Sequence, residues 1–98
     1  MRRNEVISRL RAAEPAIRAR GAQALYLFGS HARDEARADS DIDVFIDKDR
    51  SRPFGFDEFM DIYFLLREQF GDRIDYGTRD GLSAALRGEI EREAIRVF

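Results

Sequence analysis

Five consecutive apolar residues, Ala24-Leu25-Tyr26-Leu27-Phe28, stop abruptly at Gly29-Ser30. A run of this length, closed by a small-residue turn, has the flanks of a buried strand. A buried strand requires a sheet, and the rest of the chain supplies one. Asp41-Ile42-Asp43-Val44-Phe45-Ile46 alternates with period two and reads as a second strand, followed by a charged loop from Asp47 to Pro53. Arg73-Ile74-Asp75-Tyr76 reads as a short third strand that ends before Gly77.

Helical patterns fill the intervals. Val6, Ile7, Leu10, Ala13 and Ile17 recur at three- and four-residue steps between Asn4 and Arg20, with Gly21 as the stop. Pro15 either kinks this helix or divides it near Glu14. From Phe56 to Phe70 the residues Phe56, Phe59, Met60, Tyr63 and Leu66 share a stripe, closed by Gly71. The wider apolar surface from Phe59 to Leu66 reads as core, with a docking face for a helical partner as the alternative. Leu82 to Phe98 reads as mainly helical, divided at Gly88, with its last residues extended. The order helix, strand, short helix, strand, helix, strand, helix predicts an α/β (α+β) fold, with a small sheet of about three core strands flanked by helices.

With 98 residues, 44% of them hydrophobic, the chain is expected to form a single domain over 1–98. No apolar run approaches a membrane span, and Asn4 to Arg9 interrupts any signal-peptide core. Together with the absence of cysteine, these features suggest a cytoplasmic protein. Seventeen basic residues against nineteen acidic ones give no field to hold a polyanion, so direct nucleic-acid binding is not expected.

The chemistry concentrates in two places. A Gly29-Ser30 turn opening a helix presents backbone N–H groups, a hydroxyl and positive potential, which suit triphosphate oxygens. Beyond the ten residues His31 to Ser40, Asp41 and Asp43 project from one strand face, about 7 Å apart at their Cα atoms. Their mutual repulsion is tolerable when divalent cations lie between them and substrate phosphates, and magnesium suits that role. Asp75, flanked by apolar residues, can complete the set, holding a cation or taking a hydroxyl proton in a two-metal displacement. Arg33 either touches phosphate or pairs with Asp34, Glu35 or Asp39. Ser40 caps or orients the turn before Asp41, and His31 is read as solvent-facing with no catalytic role.

Leu27-Phe28-Gly29-Ser30-His31-Ala32-Arg33 followed by Ser40-Asp41-Ile42-Asp43-Val44 resembles the signature of the polymerase-β-like nucleotidyltransferase superfamily. The small size and Arg73-Ile74-Asp75-Tyr76 point to its minimal branch, whose members act as antitoxins encoded beside HEPN-domain toxins. The resemblance implies a nucleotidyltransferase fold with a mixed sheet. It implies Asp41 and Asp43 as metal ligands, Asp75 as the third catalytic, metal-binding carboxylate, and Gly29 and Ser30 as the phosphate grip. Arg33 and Ser40 are the remaining candidates for nucleotide contact. It further implies two magnesium ions, ATP as donor, and a tyrosine hydroxyl of a HEPN-type toxin as acceptor. Where many relatives carry Gly after Ala-Arg, this chain has Asp34, which bears on the geometry of the phosphate loop. A different class of function, neutralising the partner by binding alone, uses the same fold without chemistry. A small-molecule acceptor would need a further domain to bind it.

Overall fold

A computed structural model describes residues 1–98. The chain runs α1 (Arg3–Ala12), α2 (Glu14–Ala19), β1 (Ala22–Phe28), α3 (Gly29–Ala32) and β2 (Ile42–Lys48). It continues through α4 (Phe56–Phe70), β3 (Ile74–Thr78), α5 (Arg87–Glu93) and β4 (Ile95–Arg96). Pro15 divides the first helical stretch: Ala13 forms the joint, and the proline sits in the first turn of α2, where its missing N–H leaves no helical bond unmade.

The strands form one mixed sheet in the order β3-β2-β1-β4. β1 pairs antiparallel with both β2 and β4, while β2 and β3 are parallel, joined through the α4 crossover. The count of about three strands thus becomes four, the last being Ile95–Arg96 beside Leu27 and Tyr26. The C-terminal segment is less helical than its pattern suggests. Arg79–Gly81 forms a 3-10 turn, Leu82 is extended, and α5 begins only at Arg87, so Gly88 lies inside this helix and does not divide it.

Period-two alternation sorts the sheet into two unlike faces. Leu25, Leu27, Ile42, Val44, Ile46 and Ile74 face α1, α2 and α4, meeting Val6, Leu10, Ile17, Ile62, Leu66 and Phe70 in the main core. Tyr26, Phe28, Asp43, Phe45, Asp47 and Asp75 occupy the opposite face, as the paired registers require. Phe45 is fully buried there, its ring stacked 4.9 Å from Tyr26 and tilted 5.7 Å from Phe28.

Arg79 covers that aromatic pair. Its guanidinium lies 4.9 Å from the ring centroids of both Tyr26 and Phe45. It donates two hydrogen bonds to Asp47, at 2.7 and 3.0 Å, and a third to Glu91 of α5. Asp47 therefore does not open a charged loop: β2 runs on to Lys48 because the bidentate arginine neutralises the carboxylate within the strand. The loop proper starts at Asp49, whose side chain accepts from the Ser51 N–H and hydroxyl.

On α4, Ile62, Leu66 and Phe70 enter the core and Phe59 packs 4.6 Å from the Tyr76 ring. Phe56 and Phe64 remain 76% and 57% exposed, so the broad apolar surface divides between the core and a solvent-facing stripe. No helix is long and apolar enough to cross a membrane.

The Arg79 fork should be a principal tie between α5 and the sheet. Arg79→Ala is expected to lower unfolding stability by about 2–4 kcal/mol, through the unpaired Asp47 carboxylate, the lost bond to Glu91 and the lost cation–π contacts. Arg79→Lys should recover less than half of that in urea titrations, since a point charge cannot reproduce the fork. Full recovery by lysine would assign the effect to charge alone.

Candidate active site

At the end of β1 the chain turns into α3 through Gly29, whose φ of +74° lies in the left-handed region. A Cβ placed on Gly29 would stand 2.2 Å from Asp43 Oδ2. Both the backbone angle and the space therefore demand glycine, and the result is close packing of the turn onto the first carboxylate of the sheet. Ser30 follows, half-buried, with its carbonyl accepting from the Glu35 N–H at 2.9 Å.

Asp43 is the half-buried centre of the site. Its register partners are Phe28 on one side and Asp75 on the other. Burial, then the Asp75 carboxyl beside it, then Asp41 and Glu93, push its pKa up to about 6. Asp75 is exposed on the same face. Asp41 lies just before β2, also exposed, close enough to add to the repulsion.

The residues between the turn and the carboxylates are braced at several points. Ser40 Oγ accepts from the Arg37 N–H at 2.8 Å, holding the turn before Asp41, so its hydroxyl serves the loop in this arrangement. Arg73 donates to the Asp39 carbonyl at 2.6 Å. Asp34 takes the left-handed conformation, with φ of +57°, and its carboxylate accepts from the Arg3 N–H at 3.1 Å. Aspartate is one of the few residues with a side chain that visit this region readily, and here the bond from the Arg3 N–H holds its carboxylate in place, so the turn forms without glycine.

His31 corrects the sequence reading. It is 3% exposed, not solvent-facing, because the single turn of α3 directs its ring towards β2. The Nδ1–H donates to the Asp41 carbonyl at 3.0 Å, the acceptor fixing which nitrogen carries the proton. Arg33 is exposed and pairs with Glu35 at 3.4 Å, one of the anticipated partners. It makes a shorter contact with an unanticipated one, Glu93, at 2.8 Å.

Glu93 went unrecognised in the sequence. One carboxylate oxygen accepts from the Gly29 N–H at 3.0 Å and the other from Arg33. Nothing local distinguishes it from Glu89 or Glu91. Only the pairing of Ile95 with Leu27 brings the end of α5 against the start of α3.

No three acidic side chains converge into a ready-made cation cage. The donor set nevertheless fits a cation that brings part of its coordination from a nucleotide, since magnesium commonly takes one or two carboxylates plus phosphate oxygens. The raised pKa of Asp43 marks the uncompensated negative charge such a cation would relieve. A shallow cleft lies at the far end of β2 among Ile46, Lys48, Thr78, Arg79 and Arg87. Its Lys48 and Arg79 are already paired with Asp80 and Asp47, whereas Asp41, Asp43 and Asp75 make no ion pair.

Two substitutions check this electrostatic description. The folded pKa of Asp43 lies above that of an unfolded aspartate, so its charge opposes folding. Its contribution to stability falls as pH rises from about 4 to about 6 and is fully unfavourable at pH 7.5. Asp43→Asn should therefore raise stability at pH 7.5 by about 1–2 kcal/mol after allowance for solvent screening, with the gain vanishing near pH 4 in parallel thermal melts. Gly29→Ala should instead lose about 1–3 kcal/mol at either pH, from the backbone angle and the collision with Asp43. A pH-independent Asp43→Asn effect would mean that charge repulsion is not its source.

Residues 9–97 match the nucleotidyltransferase domain family. A Methanocaldococcus jannaschii protein with the proposed name protein adenylyltransferase is 29% identical over 76 residues, 76% of each chain. A solved structure proposed to be a minimal nucleotidyltransferase is 32% identical, covers 97% of this chain and 95% of its own, and gives a TM-score of 0.79. A toxin–antitoxin crystal structure with AMP-PNP shares the fold at a TM-score of 0.65 and 19% identity, covering 100% of this chain and 73% of that one. With sequence and fold matched almost from end to end, the chain belongs to the nucleotidyltransferase domain family, in its minimal form, and is a nucleotidyltransferase.

Proposed function

We propose that this nucleotidyltransferase moves the adenylyl group of ATP onto a hydroxyl of a partner protein, with magnesium, and thereby silences that partner. The partner in this reading is a HEPN-type toxin encoded nearby, the acceptor a tyrosine, and the setting the cytoplasm. The observation that carries the reading is the register pairing of Asp43 with Asp75 on one sheet face, with Gly29 packed against Asp43. The adenylyltransferase name of one relative and the antitoxin and nucleotide of another solved structure support it.

In this reading Asp41, Asp43 and Asp75 would hold magnesium, two ions in all, which would offset the phosphate charge and favour ionisation of the acceptor. The Gly29 N–H and the Ser30 hydroxyl hold the triphosphate, joined by Arg33 when it leaves Glu93. Ser40, engaged with the Arg37 N–H, contributes by fixing the turn that delivers Asp41. The acceptor oxygen bonds to the α-phosphorus, the bond from that phosphorus to the bridging oxygen of the β-phosphate breaks, and pyrophosphate departs. The acceptor proton passes to a carboxylate oxygen of Asp75, the exposed member of the pair.

A protein acceptor suits the molecule better than a small one. The exposed Phe56 and Phe64 lie two turns apart on α4 with Met60 between them, and the exposed Asp57 and Asp61 run alongside. An apolar helix bearing Arg or Lys complements this stripe in shape and charge.

The test incubates the protein with magnesium, α-labelled ATP and the protein encoded beside its gene. Label is expected on a tyrosine of the partner, and Asp41→Asn combined with Asp43→Asn should reduce transfer at least about 1,000-fold. Full neutralisation of the partner by that double variant would replace the enzymatic reading with neutralisation by binding.

A further inference from the structure

We propose that Glu93 is a resident competitor for the phosphate donors, limiting how tightly nucleotide and pyrophosphate are held. This inference rests on the adenylyl-transfer reading above and adds a residue which that reading does not assign. The Glu93 carboxylate spans two donors, taking the Gly29 N–H at 3.0 Å with one oxygen and Arg33 at 2.8 Å with the other. These are the groups that a nucleotide phosphate beside Asp43 would need. The single Gly29 N–H cannot serve a carboxylate and a phosphate oxygen together, and the Glu93 charge repels a second anion drawn to Arg33.

The placement is built into the fold. Two residues beyond Glu93, Ile95 pairs with Leu27, and two residues before it Glu91 is bound by Arg79, so the backbone at Glu93 is fixed from both sides. The side chain is 26% exposed, which leaves a path by which the carboxylate can rotate towards water while the backbone stays in place.

Glu93 also adds its negative charge to the field at Asp43. An arriving polyphosphate must displace it from both donors, and the work of displacement is subtracted from the binding free energy. After transfer the carboxylate can return to Gly29 and Arg33 and assist the departure of pyrophosphate. Affinity is thereby exchanged for turnover, a useful exchange where product release limits the rate.

The experiment measures dissociation constants of ATP and of pyrophosphate, each with magnesium, by calorimetry for the wild type, Glu93→Gln and Glu93→Ala. Pyrophosphate off-rates come from stopped-flow displacement. Both variants are expected to bind both ligands about 3- to 30-fold tighter, with pyrophosphate leaving correspondingly more slowly. The glutamine variant keeps the size and an acceptor for Gly29, so it carries the test if the alanine variant folds poorly. Unchanged or weaker binding in the variants, with the wild type binding normally, would overturn the competitor role and make Glu93 a brace for Arg33. Absence of ATP binding in all three proteins would sink the transfer reading itself, and this inference with it.

Discussion

Parallel pairing of β2 with β3 holds two like charges where water would otherwise keep them apart. Asp43 and Asp75 are register partners, and the backbone ladder between the two strands enforces their proximity. What makes the arrangement tolerable lies on the reverse of the sheet. Ile42, Val44, Ile46 and Ile74 alternate with the acids and are buried against Ile62, Leu66 and Phe70 of the crossover helix. A slip of one residue in this register would bring acids into the core and apolar side chains to the surface, so the hydrophobic face locks the position of the carboxylates. The core on one side and the charge cluster on the other are consequences of a single alternation.

The open face handles its charges differently at its two ends. Near the end of β2, Asp47 is neutralised by the fork of Arg79, which also reaches Glu91 and lies over Tyr26 and Phe45. Near its start, Asp41, Asp43 and Asp75 have no such cation, and the basic side chain closest in sequence to the glycine turn, Arg33, is taken by Glu93. One end is therefore closed and structural while the other retains unspent charge. The cleft at the far end of β2 differs in this respect, since its Lys48 and Arg79 are paired with Asp80 and Asp47.

Features set by short stretches of chain were legible in the sequence. The strand ending at Gly29-Ser30, the acids spaced two apart at Asp41 and Asp43, and an acid among apolar neighbours at Asp75 each depend on local periodicity, and the sheet positions them accordingly. The sequence also suggested a division of the first helix near Pro15. Features set by distant partners were not legible. β4 is two residues long and has no period to detect, and the placement of Glu93 depends on it. Asp47 resembled loop because its neutralising arginine is 32 residues away. His31 resembled surface because a lone polar residue in a polar stretch gives no hint that a backbone carbonyl waits beneath it.

That hidden contact has a mechanical consequence. The His31 ring joins α3 directly to the carbonyl of Asp41, spanning in one bond what the covalent chain spans in ten residues. The Gly29-Ser30 turn and the strand that carries Asp43 are therefore pinned to one another twice, by the β1–β2 pairing and by this side-chain bond, and the segment between them, itself held through Asp34, Asp39 and Ser40, closes a small braced ring.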